Sequence, residues 1–473
     1  LKSKVRLSLT EFRMLELRHG TPYRNCAGIS RRTALKAGFL GLAGLTQGDL
    51  NVLRAEGSAA RNGKSVILMW LDGGPSQLET YDPKPEAPAE YRGPWGAIPT
   101  NVPGMFVSES LPLHAKFADK MAFIRSVNHG TGDHFAGAHW MLTGKFGSTS
   151  VNLPQKYPSV GSYVSRVKGP NKPGVPPYVG LPAAQSVYLF PGYQGAAYLG
   201  AAYNPFDVQT EQKYMAASQT GPILKPKCLE NFGSGGAEAS RSGERFDLLG
   251  RLDGIKREVD QSGVMDSMDR NRQEAVSMIL GGRAREAFDM SREDPKQIDR
   301  YGGGPWGYYT LMARRLVEAG CSFVTVDMPH WDDHSNIEKG HGYKLPHVDR
   351  AVAALLDDLT DRGMLDDVLL VVMGEFGRTP RINTGQPGIP IPGRDHWGSA
   401  ISVLMAGGGL KGGAIVGATN ERAEHPIQRA LTPGDVLATV YRVMGIDTTL
   451  AFKDHAGRPL PILSEGAPIN ELL

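Results

Sequence analysis

Lys64–Gln77 reads KSVILMWLDGGPSQ: six consecutive apolar residues, Val66 to Leu71, and then Asp72, Gly73, Gly74 and Pro75. A short apolar run bounded by turn residues reads as a strand buried on both faces, the kind found in the middle of a parallel sheet. Asp72 is the first charge beyond it. In open α/β sheets ligands bind just past the carboxyl ends of the strands. Asp72 is therefore either a rigidly mounted metal ligand or acid/base group, or a cap on the Gly-Gly turn.

Three later segments repeat the pattern. Met121–Val127 (MAFIRSV) and Cys321–Asp327 (CSFVTVD) read as the second and third strands, Val368–Met373 (VLLVVM) as the fourth and Ala400–Ala406 as the fifth. Asp327, His330, Asp332, Asp333 and His334 follow the third, Glu375 follows the fourth, and Gly393-Arg394-Asp395-His396-Trp397 precedes the fifth. Helices are expected over Leu111–Asp119, from Gly132–Asp133 to Thr143-Gly144, and over Pro305–Gly320 and Pro346–Asp361. A last helix is expected from the cap at Thr432 to Gly445. Strands alternating with helices predict an α/β fold, a doubly wound, mostly parallel central sheet flanked by helices. Tyr81–Gly104, Tyr157–Pro177 and Tyr188–Glu230 read as loop-rich. Leu248, Leu252, Ile255 and Val259 open a helical insertion at about residues 240–300.

The first 57 residues stand apart. Ser30-Arg31-Arg32-Thr33-Ala34-Leu35-Lys36 precedes the Gly-rich apolar run Ala37–Leu45, the order of a twin-arginine export signal, with cleavage expected in Leu53–Ala60. Residues 58–473 are then one mature domain in the periplasm or beyond, with the export machinery as a partner. Without residues 1–57 the chain has 42 basic and 45 acidic residues, net −3, so nothing suggests nucleic-acid binding. No run is long enough for an integral membrane span. Only Cys228 and Cys321 remain, which allows one disulfide.

Carboxylates and imidazoles arriving from several strand ends suit a divalent metal. An oxygen-rich set favours magnesium, calcium or manganese, and more imidazole favours zinc. His129, His134 and His139 lie five apart. On a helix that spacing sets successive side chains about 140° from one another, so they do not share one ion.

In chain order, the twin-arginine segment, LDGGPSQLETYDPKP (Leu71–Pro85), the His-rich segment ending in LTG, WDDH (Trp331–His334), GEFGRTP (Gly374–Pro380), GRDHW and TPGDVLATVYRVMGID (Thr432–Asp447) resemble the exported domain-of-unknown-function 1501 family. That family is similar to the alkaline phosphatase and sulfatase superfamily, whose members hydrolyse phosphate or sulfate esters at a one- or two-metal centre. The resemblance implies an alkaline phosphatase-like fold with loop and helical insertions. It implies Asp72 as the first-strand ligand, Asp332 and His334 as the mid-chain pair, Glu375 at the late Asp position and His396 as the final His.

Two departures matter. Phe376 stands where the superfamily often has a ligating His, and the Cys-x-Pro-x-Arg segment that matures to formylglycine is absent. The nucleophile position falls on Thr131 by one count and on His134 by another; Ser76 is a third candidate, better read as a helix cap. Arg378 or Arg394 either clamps the anion or pairs with Glu375 or Asp395. Trp331 and Trp397 either stack on a sugar or wall the site. The expectation is a periplasmic metal-dependent hydrolase of a small anionic ester or a sulfated or phosphorylated glycan. The alternative is a relative that binds a glycan or cell-surface partner without turnover.

Overall fold

A computed structural model describes residues 63–147, 155–184, 193–208, 220–221, 223, 226–231 and 282–473. The export signal, the helix at 248–259 and most of the helical insertion lie outside the described residues. From its end the short helices Arg283–Phe288 and Pro295–Arg300 are described. All the described residues fall in one unit, Arg54–Leu473.

Strand β1, Ser65–Trp70, is buried along its whole length. It lies inside an eight-stranded sheet with β2 (Met121–Val127), β3 (Tyr178–Leu181), β4 (Phe206–Asp207), β5 (Phe323–Asp327), β6 (Val368–Met373), β7 (Ile401–Gly407) and β8 (Ala414–Val416). The order across the sheet is β8-β2-β7-β6-β1-β5-β3-β4. β1 pairs in parallel with β5 and β6, and β3 with β4 and β5. β7 runs antiparallel to both its neighbours, β2 and β6. The sheet is mixed and mostly parallel. The reversal of β7 has a consequence: its amino end lies at the edge where β1, β2, β5 and β6 have their carboxyl ends. A segment preceding β7 therefore meets segments that follow the other four.

Helices cover the sheet: α1 (His134–Thr143), α2 (Val160–Lys168), α3 (Pro305–Ala319), α4 (Ile337–Asp361) and α5 (Pro433–Met444). Alternate residues of β1, Ile67 and Met69, join one core with Leu311, Met312 and Leu316 of α3 and with Val348, Val352 and Leu355 of α4. Val66, Leu68 and Trp70 point the other way and are equally buried. That two-sided burial is why the run is uniformly apolar. α5 has the expected capping box, Thr432 with Asp435, and ends on Gly445 in the left-handed region.

Several expectations change. α4 starts at Ile337, nine residues before Pro346, and runs through that proline. The added turns are anchored by His341 and Lys344, which both bind Asp333, so tertiary contacts override the proline. The loop-rich reading of Tyr157–Pro177 hides α2, capped by Ser159; its buried Ser162 and Ser165 blur the apolar period. Leu111–Asp119 splits into Pro112–Lys116 and a turn of 3₁₀ helix at Ala118–Lys120. Tyr81–Gly104 carries a short helix, Ala89–Arg92, and one arm of the ribbon Ala97–Pro99 with Phe106–Ser108. No helix begins at Ser76, so it is not a cap; its backbone N–H donates to His341 Nε2. Cys228 and Cys321 are both free and buried, not bridged, and burial pushes both thiols up to about 12. No helix among the described residues is long and apolar enough to cross a membrane.

Candidate metal centre

Asp332 sits in the loop between β5 and α4. Trp331 fixes that loop: its backbone N–H donates to Asp72 O at 3.0 Å and its ring N–H to Met328 O at 2.8 Å, while its ring packs on Trp306. The close approach demands a glycine across the gap. A Cβ on Gly73, whose φ is +111°, would lie 2.7 Å from the backbone nitrogens of Trp331 and Asp332. The Gly-Gly after β1 thus lets the Asp332 loop reach the sheet edge.

Four side chains converge on the Asp332 carboxylate. His334 Nε2 and His396 Nε2 each lie 2.9 Å from Oδ1, Arg378 Nη2 lies 2.7 Å from Oδ1, and His134 Nε2 lies 3.3 Å from Oδ2. Each imidazole has a second acceptor at its other nitrogen. His134 Nδ1 lies 2.7 Å from Glu375 Oε1, His334 Nδ1 2.7 Å from Asp395 Oδ1, and His396 Nδ1 2.7 Å from Gly132 O. A neutral imidazole has one N–H. Satisfying both sides of all three rings therefore takes three extra protons around one carboxylate, beside the Arg378 cation. A divalent cation against the Nε2 atoms removes the conflict. For His134 and His396 each Nδ1–H would then donate to its protein acceptor and leave the Nε2 lone pair for the ion, the usual pairing of a ligating histidine with an outer acceptor, while His334 would keep its Nε2 proton for Asp332. The compact donor set is His134, Asp332 and His396, whose ligand atoms all lie within 4.8 Å of one another. The residues fit a cation.

The protonation pattern agrees. Burial pulls His134 down, but the hydrogen bonds and charges of Asp332 and Glu375 outweigh it and raise it to about 9. Burial pushes Asp332 up, yet His134, His334, His396 and Arg378 hold it far below the usual carboxylate range. His334 is raised, first by its bond to Asp332. His396 is lowered, chiefly by burial, with Arg378 and His134 adding to the effect.

The structure groups these residues differently from the expectation. His134, expected in catalysis, belongs to the compact donor set; His334, expected as a ligand, lies outside it, as do Glu375 and Asp72. Glu375 instead orients His134 and accepts the Gly73 N–H at 2.9 Å; its Oε2 is buried without a hydrogen bond. Asp72 is buried at the end of β1. Arg378 is fully buried and donates to Gly73 O, to Gly74 O, to Arg394 O and to Asp332, so its pairing is with Asp332 and not with Glu375 or Asp395. Arg394 pairs with Glu79, not with Asp395. Thr131 makes no hydrogen bond to Asp332: its hydroxyl accepts the Asp133 N–H at the entry to α1, and its N–H donates to His129. His129 donates through Nε2 to Glu375 O, while His139 packs away from the centre against Tyr157 and Tyr193. Phe376 walls the site against His134 and His396. Trp331 is wholly buried, and Trp397 donates to Glu424 O.

Asp395, which the sequence reading pairs only with an arginine, is the partner of His334. The signal was present in GRDHW: Arg378 pairs with His396 across a two-residue antiparallel ribbon, so Asp395 and His396 emerge side by side at the loop of His334.

The family described as "Protein of unknown function (DUF1501)" matches residues 63–473. No curated protein matches the chain. Among solved structures, it is similar to the PsFucS1 sulfatase from Pseudoalteromonas sp., at 12% identity over 84% of this chain and 72% of that one, TM-score 0.39. It is similar to alkaline phosphatase from the Antarctic bacterium TAB5, at 12% identity over 81% and 98% of the two chains, TM-score 0.36. It is also similar to the C-terminal periplasmic domain of EcEptC from Escherichia coli in complex with Zn, at 10% identity over 88% and 93%, TM-score 0.36.

Proposed function

The chain belongs to the DUF1501 family, and we propose that it is a periplasmic, metal-dependent hydrolase of phosphate or sulfate esters. The observation that carries this reading is the Asp332 carboxylate facing three imidazoles, each already held at its far nitrogen by another acceptor. His134, Asp332 and His396 would hold the ion, and its imidazole content favours zinc over magnesium or calcium. The ion would supply Lewis acidity toward the non-bridging oxygens of the ester.

The chain's own residues do the rest. Glu375 fixes the His134 ring and Gly132 O the His396 ring. Arg378 holds Asp332 in place from below. His334, with its side chain 24% exposed, is the most open of the three rings and carries a raised pKa; it is placed to hold a proton on Nε2 for the leaving alcohol, with Asp395 keeping its tautomer. No serine or threonine hydroxyl bonds to Asp332 among the described residues, so water and not a side chain is the proposed nucleophile. Hydrolysis then breaks one phosphorus–oxygen or sulfur–oxygen bond and returns the alcohol and the free anion.

The buried wall of Phe376 favours a second reading, a glycan-binding relative with a structural ion and no turnover. One experiment separates the two: elemental analysis of the native protein followed by a panel of phosphate and sulfate esters. Metal with turnover supports the hydrolase. Metal without turnover of any ester supports the binding relative, and protein that never retains a divalent ion sinks both.

A further inference from the structure

We propose that the open cleft of about 420 Å³ built on the loop that carries Asp332 is a saccharide subsite, for a glycan whose ester reaches the centre. The word ester rests on the hydrolase reading above; the choice of a sugar rests on the cleft itself.

The cleft and the centre are two faces of one loop. Asp332 and His334 meet at the centre, while Asp333 and Ser335 line the cleft. The stripe then continues through Asn336, just before α4, to Lys339 and Tyr343, four apart on one face of the helix. A ligand in the cleft therefore lies within one residue, along the chain, of the candidate metal ligand. The backbone is held out of its ordinary range at both ends of this loop. His330 at φ +77° and Asn336 at φ +53° are two of only five left-handed non-glycine residues among the described residues, and both line the cleft. Such conformations persist where the surroundings enforce them, commonly at functional sites. The floor is shaped too: a side chain on Gly340 would collide with the Asp333 carboxylate, which is tied to the buried Lys344 and His341.

The exposed groups are those that recognise a sugar. The Ser335 hydroxyl and the Asn336 amide have no protein hydrogen bond among the described residues, and together they offer donors and acceptors to ring hydroxyls. Tyr343 is 59% exposed, an aromatic ring suited to the apolar CH face of a pyranose. Lys339, whose ammonium lies 6.0 Å from that ring's centre, adds a cation for a sulfate, phosphate or carboxylate on the same or the next sugar. A nucleotide base would want an apolar slot on both faces, and this cleft has one ring among polar walls.

The test uses the intact protein on a printed array of sulfated oligosaccharides and their desulfated counterparts, followed by calorimetry with the strongest binder. Tyr343→Ala, at an exposed position, and Asn336→Gly, which keeps the left-handed backbone, should each weaken the sulfated and the desulfated forms alike, Tyr343→Ala by tenfold or more. His396→Ala should remove only the preference for the sulfated form. No retained oligosaccharide, or binding unchanged in Tyr343→Ala, overturns the subsite. The two readings fail separately. Saccharide binding without cleavage of any ester leaves the subsite and removes the hydrolase. Cleavage of a small aryl ester with no saccharide binding does the reverse.

Discussion

Asp332 is the residue on which the centre turns, and its four neighbours make sharp expectations. Asp332→Asn keeps the size of the side chain but loses the charge that the three imidazoles and Arg378 share. Metal content, measured by elemental analysis, should fall below about a tenth of wild type, while circular dichroism stays native; unchanged metal content would remove Asp332 from the ligand set. Glu375→Gln preserves an acceptor for His134 Nδ1 and should weaken metal affinity by about 10–100-fold without abolishing it. Thr131→Ala should keep most turnover, since its hydroxyl only accepts the Asp133 N–H; trapping a phosphorylated or sulfated Thr131 would reverse that assignment. The residue types at this centre were legible from the strand ends. Their roles were not, because a role depends on what sits at the far nitrogen of each ring. The partners of His134, His334 and His396 lie 241, 61 and 264 residues away along the chain, and no local spacing carries that information.

The central strands were legible at the scale of elements, because burial on both faces leaves a signature in composition alone. β2 and β6 have the expected bounds, and β1 and β5 differ only at their ends. The strands that escaped are β3, β4 and β8, which are short and lie toward the sheet's margins. The direction of β7 was invisible in its sequence, yet it delivers His396 to the centre, since strand orientation is a property of the connection and not of the strand. The first turns of α4 escaped because Pro346 is a local stop signal, whereas the ties to Asp333 are tertiary. The turn after β1 gives the test at this scale. Gly73→Ala places a methyl 2.7 Å from two backbone nitrogens at a φ of +111°. Neither group can yield without moving the Asp332 loop. A loss of about 1–3 kcal/mol in chemical denaturation is expected, together with loss of metal. Wild-type stability with lowered metal content would show that the loop moved freely; wild-type values of both would mean that Gly73 does not set the loop.

Two expectations belong to the whole chain. The first concerns export: Arg31→Lys combined with Arg32→Lys should strand the protein in the cytoplasm, as read by fractionation, and normal export of the double variant would discard the twin-arginine reading. The second concerns pH, where the histidines pull in opposite directions. His134 is raised to about 9 by Asp332 and Glu375 against the effect of burial, so without metal the folded chain binds this proton more tightly than the unfolded chain does. Its contribution is complete below the unfolded value of about 6.5 and is lost as pH rises through 9; the shift corresponds to about 3 kcal/mol. His139 and His330 are lowered to about 4, both chiefly by burial, with nearby lysines adding to it. Between 6.5 and 4 the unfolded chain takes up their protons and the folded chain does not, so stability falls as pH drops through that window. Metal-free protein should therefore be most stable near pH 6.5 and weaken on both sides. Metal removes the alkaline decline, because a ligating His134 must already have given up the proton, and it steepens the acid limb, because below about 6.5 the unfolded chain takes up that proton and the metal-bound chain does not. Thermal unfolding from pH 4 to 10, with EDTA and with saturating zinc, reads this directly. The acid limb should be steeper with zinc than with EDTA. The alkaline decline between 7 and 9 should appear with EDTA and vanish with zinc, and zinc affinity should tighten with pH over the same range. Alkaline limbs that stay parallel with and without zinc would place the ion away from His134.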